Sequence, residues 1–80
     1  MKIFKLNIGL GLAMFVAEDA MQVLCLIAQH NDMKYIFKGV PAKLILKDLV
    51  EIPGYIVSGQ PGVIAFYREW SHTLGITLWV

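Results

Sequence analysis

Residues 18–30, Glu18-Asp19-Ala20-Met21-Gln22-Val23-Leu24-Cys25-Leu26-Ile27-Ala28-Gln29-His30, decide how the rest of the chain is read. Wound at about 100° per residue, they place Glu18, Asp19, Gln22, Gln29 and His30 within an arc of about 120°. Ala20, Met21, Val23, Leu24, Ile27 and Ala28 fall on the opposite side, which is the pattern of an amphipathic helix. Asp19 suits the N-cap, with Gln22 three positions on as an approximation to a capping box, and the acidic start suits the helix dipole. Two residues break the pattern. Leu26 projects into the middle of the polar arc and Cys25 lies at its edge, a defect unless something covers them.

On both sides of this segment the period changes. Lys2 to Asn7 alternates, Gly9-Leu10-Gly11 loosens the backbone, and Ala13 to Val16 resumes as a β-prone run, so a hairpin precedes the helix. After it, Asn31-Asp32 ends the helix and Lys34 to Lys38 alternates as a strand, with Tyr35 and Phe37 together, until Gly39 and Pro41 break it. Residues 42–52 fit both periods. Pro41 as a first helical residue favours a second helix at 42–52, whereas Leu44-Ile45-Leu46 and the Pro53-Gly54 stop favour a strand, which is the reading adopted. Tyr55 to Val57 is a short β-prone piece, and residues 58–62 are the strongest turn signal. Val63 to Tyr67 reads as a strand, Arg68 to His72 as a polar connection, and Leu74 to Val80 as a last strand. One helix among β segments predicts a single α+β domain over residues 1–80, the helix at about 18–30 packed on a mostly antiparallel sheet.

Composition sets what this domain must do with its surface. The 80 residues are 58% hydrophobic and 16% charged, against about 45–50% and about 25% in ordinary soluble domains. Disorder, which needs low hydrophobicity and high net charge, is excluded. A folded monomer of this mass keeps roughly 4,800 Å² of accessible surface, and polar groups are scarce for covering it. Net charge is +1, with +3 over residues 1–47 and −2 over 48–80, far from the basic balance that a row of phosphates demands, so a nucleic-acid partner is not expected. A single cysteine, Cys25, makes no internal disulfide, which favours a reducing compartment and a cytoplasmic location. Residues 1–17 imitate a signal peptide poorly, because Phe15 and Asn7 interrupt the pattern. No uncharged run reaches the 18 residues of a membrane span.

Motifs for chemistry are sparse. Gly9-Leu10-Gly11 lacks the third glycine and the acidic residue of a dinucleotide site, and Gly59 to Gly62 lacks the lysine and hydroxyl of a phosphate loop. Cys25, set mid-helix, reads as a small buried hydrophobe rather than a nucleophile. His30, Asp32, Glu69 and His72 are the one set from which a metal or acid–base centre could be assembled, and His30 at a helix C-terminus has an adequate explanation in the dipole alone. No cofactor, catalytic residue or metal ligand is assigned. Tyr67, Arg68 and Trp70 stand together and have the composition of an interface hot spot. With Leu26 they form the predicted interface of a small self-associating module, most economically a two-fold homodimer, of the kind an adaptor, inhibitor or accessory protein would be, with a further protein partner in view. The alternatives are a peripheral membrane or hydrophobic-ligand protein, and a small enzyme with its site at a dimer interface.

Overall fold

The hairpin forms where the alternation places it. In the computed structural model, which describes residues 1–8, 11–70 and 73–79, and only the backbone of 67–70 and 73–79, β1 (Lys2–Asn7) pairs antiparallel with β2 (Gly11–Ala17). The Ile8 N–H donates to the Gly11 carbonyl at 3.1 Å and closes the turn. After β2 the chain builds three helices, α1 (Ala20–Gln29), α2 (Met33–Ile36) and α3 (Ala42–Asp48), then β3 (Leu49–Ile52), β4 (Gly62–Trp70) and β5 (Thr73–Trp79). The five strands lie in the order β3-β1-β2-β4-β5, every neighbouring pair antiparallel. The predicted α+β architecture, with one longer amphipathic helix on an antiparallel sheet, is the one observed.

α1 starts as its sequence indicates. The Asp19 side chain accepts from the Gln22 N–H at 2.9 Å, and the Gln22 Oε1 accepts from the Glu18 N–H at 2.6 Å, a reciprocal cap. Its buried face differs from the predicted one. Val23 and Ile27 are fully covered, Leu26 is half-buried against the core, and Met21 and Ala28 lie in solvent. The helix is therefore rolled toward its Leu26 and His30 side. The roll removes the Leu26 defect and turns out Cys25, which is exposed rather than buried.

Three other segments depart from the strand pattern. Lys34 to Lys38 lies in and just after the single turn of α2: the His30 Nδ1 accepts the N–H groups of both Asp32 and Met33 at 3.2 Å, and Met33 is fully buried. Residues 42–52 divide, with a helix over 42–48 whose one buried residue is Ile45, and a strand over 49–52 that pairs with β1 through Leu49↔Leu6 and Ile52↔Ile3. The adopted strand is thus right only for the last four residues, because Pro41 sets an extended N-cap that starts a helix and Leu49 returns to extended backbone. Tyr55 to Val57 is no strand; Val57 alone is tied, exchanging two backbone hydrogen bonds with Met1. Arg68 to Trp70, read as a polar connection, continues β4, since Arg68 has ladder partners on both sides, Gly11 and Ile76. Pairing on both flanks outweighs side-chain polarity there.

The core lies between the helices and one face of the sheet. Phe4, Leu6, Ala13, Phe15, Ala17, Val63 and Phe66 point to Val23, Ile27, Met33 and Ile45. A bulge keeps β4 in step: Met14 pairs with Ala65 and Phe15 with Val63, leaving Ile64 as the extra residue.

Candidate functional site

The residues that alternate with the core define the other face of the sheet. Across the register they run Ile52–Ile3–Val16–Gly62 in one row and Val50–Lys5–Met14–Ala65 in the next, and Leu12 follows beside Asn7. None of them belongs to the core cluster, Val16 included, although it is buried to 5%. The described helices all pack on the opposite face, so this surface has no covering layer among the described residues. Its one charge in those two rows is Lys5, whose aliphatic stem lies among Val50 and Met14. Five strands of about six residues give a footprint of about 400 Å² in projection, within the size of the patches that mark interaction sites.

A second uncovered surface lies on the helical side. Met21 is 62% exposed, and a groove of about 310 Å³ opens between α1, α2 and α3, lined by Leu24, Ile27, Ala28, Phe37, Val40 and Ile45 with Lys34 at its rim. Tyr55 and Ile56 stand out on the loop before β4, Ile56 at 96% exposure. The molecule exposes 5432 Å² in all, more than the roughly 4,800 Å² that a monomer of this mass should keep.

Of the predicted interface, Leu26 is half-buried in the molecule's own core, and Tyr67, Arg68 and Trp70 lie in β4 where only the backbone is described. Tyr67 is the β4 partner of Leu12, at the edge of the outer face's rows. Of the remaining candidate set, His30 uses its Nδ1 on the α2 backbone and meets the Phe66 ring edge-on at 5.3 Å. His72 and the Glu69 side chain lie outside the described residues, as do Gly9 and Leu10. Among the described residues no three His, Cys, Asp or Glu side chains come together as a metal site requires, and no helix is long and apolar enough to cross a membrane.

Sequence reasoning looked for the sticky surface on α1 and in residues 67–70, and missed the outer face of the sheet. The signal was present: Leu12 to Ala17 is apolar at odd and even positions alike, the mark of a strand that needs cover on both faces. The chain matches no protein-family model, no curated protein and no solved structure.

Proposed function

We propose that the chain is a small self-associating binding or structural module, of the adaptor, inhibitor or accessory kind, that works by contact and carries out no chemistry of its own. The carrying observation is the open apolar face of Ile3, Leu12, Met14, Val16 and Ile52. Two copies stacking these faces about 10 Å apart make a sandwich with helices on both outsides. The contact sits at the small end of specific interfaces. The single exposed thiol of Cys25 supports a reducing, cytoplasmic setting. Light scattering at about 0.1 mM, where mass action favours association, should give twice 9.0 kDa or more, and Met14→Lys should lower that mass. A monomer at that concentration would sink the reading.

A second reading has one observation in its favour. The Tyr55-Ile56 pair projects an aromatic and an aliphatic side chain into solvent, a combination suited to the interfacial layer of a membrane. Co-sedimentation with anionic vesicles, lost on Ile56→Ser, would support peripheral binding, and no sedimentation would remove it.

A further inference from the structure

The roll of α1 that buries Leu26 leaves a stripe with no partner in the molecule. Met21, Leu24, Cys25 and Ala28 fall along one side of the helix; Met21, Cys25 and Ala28 are exposed, Leu24 is half-buried, and the stripe borders the groove between the three helices. We propose that this stripe is a two-fold contact between copies of the chain, with α1 lying antiparallel on its counterpart. The stripe is symmetric about a point midway between Leu24 and Cys25. An antiparallel copy therefore sets Met21 over the partner's Ala28 and Leu24 against the partner's Cys25, and two-fold symmetry repeats both pairings. A long flexible side chain meets a small one at the mouth of a groove, which is where methionine packs well.

Charge favours the same arrangement. Glu18 and Asp19 are exposed at the start of α1, and the antiparallel level of Glu18 is the partner's Asn31, next to the groove rim where Lys34 stands with Asp32 and Lys38. The one ion pair among the described residues is Lys2–Glu51, so Lys34 has no described acidic partner within the molecule. Three helical turns against three bury on the order of 500 Å² in total, well below the roughly 1,200 Å² of a stable interface. Alone, the contact is transient. It lies on the opposite side of the molecule from the stacked sheet face and does not depend on it.

Cys25 reports the contact directly. Each Cys25 is offset from the symmetry point by half of the roughly 1.5 Å helical rise. Helices that meet through small residues approach to about 8 Å, so the two Cα atoms come within the roughly 4.4–6.8 Å that a disulfide spans. Diamide takes one hydrogen from each thiol, leaving an S–S bond and the reduced hydrazine. The test uses the Met14→Lys protein, in which sheet stacking is blocked. Diamide is expected to give a covalent species at twice 9.0 kDa. Its yield should fall about tenfold with Met21→Lys or Glu18→Lys, and return when Glu18→Lys is combined with Lys34→Glu. A Cys25→Ser, Gln29→Cys protein places its two thiols about 13 Å apart along the axis and should not cross-link. Equal yields from the two cysteine positions, or no covalent dimer from Cys25, would overturn the contact. Failure of sheet stacking is read separately, from the light-scattering mass of the unmodified protein.

Discussion

Phe15 and Met14 are neighbours in one strand, equally apolar, and their environments are opposite. Phe15 is 0% exposed among Leu6, Ala17 and the helices, whereas Met14 lies half-open on a face that nothing described covers. The comparison extends to the whole sheet. Its inner face is packed by three helices, and its outer face has nearly the same chemistry with no layer to receive it. An antiparallel sheet that meets water on one side alternates apolar and polar residues, and this one does not. The composition of β2 therefore describes a sandwich, of which one chain supplies half.

Substitutions sort the two faces. The largest effect is expected from Phe15→Ala, which leaves a cavity in the inner layer and should cost about 3–5 kcal/mol in urea unfolding, enough to unfold much of so small a domain. Met14→Ala, one residue away, should cost less than about 1 kcal/mol at protein concentrations too low for association. Equal costs would mean that the outer face is filled within the monomer and would break the comparison. Smaller effects probe how the inner layer is held. Asp19→Ala removes the α1 cap and should cost about 1 kcal/mol. His30→Ala frees the N–H groups of Asp32 and Met33 and should cost about 1 kcal/mol as well, with faster hydrogen exchange confined to α2. The smallest belongs to Lys2→Ala. Its 3.8 Å pair with Glu51 is half in solvent, so the change should be a few tenths of a kcal/mol and vanish in high salt.

What was legible in the sequence follows the length of each pattern. α1 and the β1–β2 hairpin carry enough residues for a period to repeat, and both formed where the reading set them. α2 has four residues, too few to separate a spacing of two from one of three or four, and its cause lies outside it, in the Nδ1 of His30. Residues 42–52 matched both periods because they contain both structures in succession. For the interface, the excess of apolar side chains was visible and its location was not. Leu26 was singled out from an ideal helical wheel, and rotation of the helix about its axis depends on what the sheet offers it. Tyr67, Arg68 and Trp70 were chosen by residue type, and the continuation of β4 through them depends on pairing with β2 and β5.

The rim of the sheet at β3 adds a constraint on any assembly. The strand is four residues long, Pro53 follows it, and Gly54 turns away at a φ of 88°. A further strand arriving there would find a short ladder and then a residue with no N–H to offer, which is how proteins discourage edge-to-edge growth. Copies meeting on that side are refused as extra strands and directed to stack broadside, which favours a finite particle over a cross-β fibre spreading from this rim.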